Sequence, residues 1–130
     1  MPYLMKVQEG DVHQAKRYVN AHGNTECVEF VRQVTRALPT PHWKPGTKIS
    51  QATMGSIARG TAIATFVGGK YPTDHLGKHA AVYLSHDKNS IQVLDQWNDQ
   101  GKVEKRQIRF NNNRSGATRS DEGNWFYVIE

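Results

Sequence analysis

An α+β domain, with N-terminal helices packed on an antiparallel β-sheet, is predicted by the order of patterns along the chain. Apolar residues at helical spacing mark the first half, chiefly ahead of Pro39, whereas short β-branched and aromatic runs separated by polar turns fill the second half. The 130 residues fit a single domain spanning 1–130, large enough to bury a core without covalent staples. No internal repeat or linker interrupts it.

The first helix is expected from Asp11, which can cap it, with Val12, Ala15 and Val19 recurring along one face. A turn through His22-Gly23 leads to a second helix, for which Asn24 or Thr25 can supply the N-cap. Its stripe is Cys27, Val31, Val34 and Leu38, and Pro39-Thr40-Pro41 ends it because proline cannot continue the hydrogen-bond ladder. Residues 42–60 are rich in Gly, Pro, Ser and Thr and read as a long surface excursion with a short helix around 51–57. Strands follow at 61–67, 79–84, 91–97, 103–110 and 125–129, and the polar stretch 111–124 reads as a loop.

Composition narrows the chemistry. The chain has one cysteine, so it forms no internal disulfide and no multi-thiolate metal centre, and nothing in it calls for a cofactor. Residues 1–6 lack the apolar core of a secretory signal, and no run is apolar enough for membrane insertion, so synthesis in the cytoplasm without a leader is expected. The net charge of +5 is spread over positions such as Lys16-Arg17, Arg36, Lys48, Lys105-Arg106, Arg109 and Arg114. That dispersal lacks the dense basic or aromatic-interleaved pattern of a nucleic-acid binder and suits an anionic polymer or an acidic protein.

Cys27 falls in the first turn of the second helix. There the free amide hydrogens and the positive end of the helix dipole favour a thiolate, the nucleophilic form of cysteine. A thiolate needs a base that later returns the proton to the leaving group, and histidine is best suited near neutral pH. Of six histidines, His79 alone opens a strand, with Ala80 and Ala81 leaving room for a helix to approach. If Leu84 pairs with Ser90 across the intervening turn, Asp95 lies directly opposite His79, with β-carbons roughly 5 Å apart. Asp95 would then orient the imidazole, and a one-residue register shift would offer Gln96 instead.

The segments Thr25-Glu26-Cys27-Val28-Glu29-Phe30-Val31, Gly60-Thr61-Ala62-Ile63-Ala64-Thr65-Phe66, Gly77-Lys78-His79-Ala80-Ala81-Val82-Tyr83-Leu84 and Leu94-Asp95-Gln96-Trp97 resemble the compact amidase effectors delivered by type VI secretion. More broadly, the order of cysteine on helix, histidine on strand and polar residue on the next strand resembles NlpC-type and CHAP-type cysteine amidases of the papain-like class. The resemblance implies a papain-like fold and an antibacterial hydrolase acting on peptidoglycan stem peptides or cross-links, at D-Glu–diaminopimelate or diaminopimelate–D-Ala bonds. It implies Cys27 as nucleophile, His79 as base and acid, and Asp95 as orienter, with the oxyanion held by the Cys27 amide and a polar neighbour, Asn24 or Gln96, and with His22, His42, Trp43 and Tyr71 at the rim of the cleft that grips a stem peptide. It also implies a secretion apparatus, a cognate immunity protein and a site of action in the target's periplasm. Two other readings of the same residues are a papain-like deamidase that modifies proteins and a non-catalytic basic binding module.

Overall fold

The computed structural model describes residues 1–12 and 17–130. Two helices, α1 (Glu9–Val12) and α2 (Cys27–Thr35), precede or flank six strands: β1 (Pro45–Lys48), β2 (Ala62–Thr65), β3 (Ala80–His86), β4 (Ser90–Asp95), β5 (Glu104–Arg109) and β6 (Phe126–Ile129). They form one antiparallel sheet in the order β1-β6-β2-β3-β4-β5. The C-terminal strand therefore inserts between β1 and β2, with Ile63 opposite Val128 and Ala64 opposite Tyr127. The α+β class expected from the sequence is the class observed.

Both faces of the central strands are buried. On one face Phe30, Val31 and Val34 of α2 lie against Ala62, Ala64, Ala80, Val82 and Leu94. The alanines are what let the helix backbone come close to β2 and β3, because a larger side chain would hold it off. On the other face Ile49, Ile63, Tyr83, Ile91, Val93, Ile108 and Phe126 form a second core. Burial on both sides explains why β2 and β3 read as nearly continuous apolar runs rather than alternating ones.

Several boundaries differ from expectation. Helix α2 stops at Thr35, not at the prolines, because Arg36 turns left-handed (φ 62°) and donates its N–H to the Arg32 carbonyl. Leu38 thus leaves the helical stripe and is 51% exposed. The N-cap is Glu26, whose side chain makes no capping bond, rather than Asn24 or Thr25. In the first helix Val12 is buried as expected, Ala15 lies outside the described residues, and Val19 is 43% exposed beyond the helix. No helix forms over 51–57; a single 3₁₀ turn spans Ile49–Gln51 instead. Just before it, Pro45–Lys48 forms the edge strand β1, where proline is tolerated because one side of the strand needs no ladder partner.

Candidate active site

Cys27 is the first residue of α2 and is partly exposed. The earliest intrahelical bond runs from the Phe30 N–H to the Glu26 carbonyl, so the amides of the first turn have no partner within the helix. Gln96, fully buried just past β4, fixes this end. Its Nε2 donates to the carbonyls of Tyr18 (2.6 Å) and Glu26 (3.0 Å), and its Oε1 accepts from the Tyr18 N–H (3.1 Å). The buried Thr25 hydroxyl adds a bond to the Trp97 carbonyl at 3.3 Å. The sequence around Cys27 is thereby tied to the strand that carries Asp95.

His79 immediately precedes β3 and is 4% exposed. Its backbone N–H donates to the Thr65 hydroxyl at 3.1 Å, and its carbonyl accepts from the Thr65 N–H at 3.0 Å. Its Nε2 lies 2.7 Å from Asp95 Oδ2. The hairpin register behind this contact is not the expected one. Val82 pairs with Leu94 rather than with Gln92, and an irregularity between Tyr83 and Ser85 shifts the pairing by one residue more nearer the turn, where His86 pairs with Ile91. A slide of two residues preserves the strand's alternation, so His79 and Asp95 still share a face and meet diagonally. The position across from His79 falls to Trp97, whose ring centre is 6.1 Å from the imidazole.

A second cation completes the carboxylate's surroundings. Arg106 of β5 donates from Nε to the same Asp95 Oδ2 at 2.8 Å, lies 5.0 Å above the Trp97 ring, and reaches Asp121 at 3.4 Å. Asp95 itself is fully buried, and its Oδ1 has no hydrogen-bond partner among the described residues. Sequence reasoning missed Arg106. A carboxylate buried in an apolar strand needs compensating charge, and β5, the next strand, is the place to seek it.

Gly77 sets the approach to His79. Its φ is +115°, and a β-carbon there would lie 2.6 Å from the Arg119 amide nitrogen. Gly77→Ala is therefore expected to destabilise the protein by about 2 kcal/mol, through backbone strain and displacement of the Arg119 turn. Thermal denaturation, with turnover measured in parallel, checks this.

His79 also acts on the Cys27 thiol, and with Nε2 engaged by Asp95 its Nδ1 is the nitrogen left for that interaction. Burial alone would push the Cys27 thiol up. The His79 charge and hydrogen bond, with the Ala80 amide and the Tyr71 hydroxyl, outweigh it and hold the thiol below its ordinary 9.0. Burial would likewise depress His79, but the facing thiolate and Asp95 carboxylate raise it to about 9. Both shifts favour a thiolate beside an imidazolium. The Tyr71 hydroxyl lies 3.9 Å from the sulfur, and burial followed by the neighbouring thiolate pushes its ionisation far above the usual range, so it stays a donor.

Hollows open on both sides of the sulfur. One of about 390 Å³ is bordered by Lys78, His79, Arg106, Ser120 and Asp121; the other, about 370 Å³, by Glu26, Val28, Thr40, Tyr71 and Asn98; Cys27, Lys78 and Trp97 border both. The cleft thus crosses the helix N-terminus, and charged side chains are more numerous on the side of Arg106 and Asp121. Tyr71 borders it as expected. Trp43 does not: it is 3% exposed, donates from Nε1 to the Leu38 carbonyl, and supports Tyr71 edge-on at 5.1 Å. His42, His22 and Asn24 are exposed and border neither hollow. Gln96 spends both amide hydrogens on main-chain carbonyls, which corrects its expected place as an oxyanion donor. Among the described residues, no group of three or more His, Cys, Asp or Glu side chains converges to hold a metal ion.

The family model described as domesticated amidase effector 2 matches residues 4–129. The chain belongs to the amidase effector 2 family. Two relatives span most of its length. The type VI secretion amidase effector 2 protein of Salmonella typhi is 36% identical over 126 residues, which are 93% of this chain and 87% of that protein. The domesticated amidase effector 2 of Ixodes scapularis is 38% identical over 119 residues, covering 88% and 77% respectively. A solved structure of a type 6 secretion amidase effector 2 superposes with a TM-score of 0.80 at 32% identity, over 97% of this chain and 93% of that one. The resemblance read from the cysteine and histidine segments is borne out at family level, and the fold of this amidase effector 2 chain matches that of the solved member.

Proposed function

We propose that this member of the amidase effector 2 family is a papain-like cysteine amidase that hydrolyses amide bonds in the peptide stems or cross-links of peptidoglycan. The observation that carries the reading is the Cys27–His79–Asp95 line at a helix N-terminus, with His79 and Asp95 buried and Cys27 partly exposed to the cleft. The Cys27 thiolate attacks the amide carbonyl carbon, and the carbonyl electron pair moves onto oxygen. As the tetrahedral intermediate collapses, the C–N bond breaks and the His79 imidazolium gives its proton to the leaving amine. A water then enters, His79 takes one of its protons, and the hydroxide adds to the thioester. Expulsion of the Cys27 thiolate leaves a carboxylic acid, and the resting pair is restored.

Asp95 holds His79 in register and stabilises its cationic form throughout. The Cys27 amide and the Tyr71 hydroxyl supply the dipoles for the oxyanion, a task that Tyr71 suits because it remains protonated beside the thiolate. Tyr71→Phe is accordingly expected to lower kcat by about 10²-fold with little change in KM. Steady-state kinetics on a stem-peptide substrate check that. As an effector, the enzyme would be delivered by a type VI secretion apparatus to a target periplasm, with a cognate immunity protein guarding the producer.

The test is digestion of purified Gram-negative peptidoglycan by the wild-type protein and by Cys27→Ala, with products resolved by chromatography and mass. Loss of stem-peptide or cross-linked species with the wild type alone supports the reading, and the product masses name the bond. Unchanged peptidoglycan with both proteins would overturn it and favour modification of protein side chains.

A further inference from the structure

The charged side of the cleft does not end at Arg106. Arg106 and Asp121 also border a second hollow of about 370 Å³, together with Gln107, Arg109, Asn112 and Arg114. The last four border a third, of about 610 Å³, which extends beneath the chain that follows β5. Shared walls make these one groove, running from the sulfur past Arg106 and along the free edge of the sheet.

The groove's cations are unequally committed. Arg106 is held by Asp95 and Asp121, and Arg114 meets Asp121 at 3.2 Å while its side chain stays 66% exposed. Arg109 makes no side-chain hydrogen bond or ion pair among the described residues. Asp121 is the only carboxylate that the outer hollows present against Arg106, Arg109 and Arg114, and the rest of the lining is mostly uncharged amides. A lone charged edge-strand side chain also guards a sheet against edge pairing, which accounts for one arginine at β5 but not for a walled hollow beside it. Planar guanidinium groups bind carboxylates in pairs of parallel hydrogen bonds, and the amide side chains can bond the peptide groups on either side.

We propose that this groove is a subsite for a free carboxylate on the peptide arm next to the scissile amide, bound by Arg109 and Arg114. The proposal rests on the amidase reading for the identity of the ligand. It predicts that the protein distinguishes a stem peptide bearing a free carboxylate farther along that arm, beyond the residue at the cleavage point, from one carrying a carboxamide there.

Two synthetic stem peptides, identical except for that carboxylate or carboxamide, are titrated calorimetrically against Cys27→Ala and against the same protein carrying Arg109→Gln and Arg114→Gln. Binding of the carboxylate form is expected to be about tenfold tighter in the first protein and nearly equal to the carboxamide form in the second. In the enzyme with Cys27 intact, the two glutamines should raise KM for the carboxylate peptide and leave kcat unchanged. Both substituted side chains are solvent-facing, and matching melting curves verify that the fold is retained. Equal binding of the two peptides to Cys27→Ala, or a preference that survives both glutamines, overturns the proposal. A preference that behaves as expected while the wild type hydrolyses neither peptide would keep the subsite and remove the amidase reading.

Discussion

Cys27→Ala is expected to lower amide hydrolysis by more than about 10⁴-fold while the protein remains folded. The sulfur is the atom that would bond to the acyl group, and no other thiol exists in the chain to replace it. Its packing role is small, since the side chain is partly exposed at the tip of α2. Loss of the thiolate also removes the strongest cause of the elevated His79 value, so the imidazole should fall from about 9 in this variant. Turnover assays combined with an NMR titration of His79 check both parts. Retained turnover would mean that the nucleophile lies elsewhere.

Asp95→Ala should damage stability and rate together. The carboxylate is fully buried and accepts from both His79 (2.7 Å) and Arg106 (2.8 Å). Removing it leaves two cationic groups facing an empty space, which costs about 3–5 kcal/mol when a buried pair is broken. The rate should drop by about 10²–10⁴-fold, because His79 loses both its orientation and the charge that favours its protonated form. Asp95→Asn keeps the volume and an acceptor oxygen, so it should unfold less readily than the alanine variant yet remain slow. Urea denaturation with parallel kinetics separates the two effects. Near-wild-type stability in Asp95→Ala would show that Arg106 and His79 do not depend on the carboxylate.

The parts of the site that were legible in the sequence are those governed by strand alternation and by a single position. Cys27 followed from the start of a helical pattern, and His79 from a strand opening flanked by alanines. Asp95 was found through a register wrong by two residues. It survived because a two-residue slide returns side chains to the same face, whereas a one-residue slide would have selected Gln96. The irregularity between Tyr83 and Ser85 leaves no trace in composition, so the true pairing was unreadable. Strand β1 was hidden for another reason: Pro45 and Gly46 argue against a strand, and it is the pairing with β6, Pro45 opposite Ile129 and Lys48 opposite Tyr127, with main-chain bonds between Lys44 and Glu130 (2.7 and 2.8 Å), that draws the segment into the sheet.

Long-range partners were the least legible. In sequence Gln96 reads as an available donor, but its amide bonds the carbonyls of Tyr18 and Glu26, far away in sequence. Trp43 looked like a rim aromatic, but its indole nitrogen is satisfied by the Leu38 carbonyl and its ring props up Tyr71. Arg106 read as one dispersed charge among many. In each case the deciding fact is a contact between residues whose spacing carries no local pattern.

The alkylation rate of Cys27 by iodoacetamide, followed across pH for the wild type and His79→Ala, tests the thiolate–imidazolium pair directly. A lowered thiol value and a His79 value of about 9 would leave the pair a pH window that closes as His79 loses its proton. Wild-type reactivity should therefore persist below the ordinary thiol value of 9.0 and change again near 9 as His79 deprotonates, while His79→Ala reacts only as pH climbs towards the ordinary value or beyond. Superimposable profiles that both rise only near 9.0 would contradict it, and Cys27 would then be an ordinary thiol at a helix end.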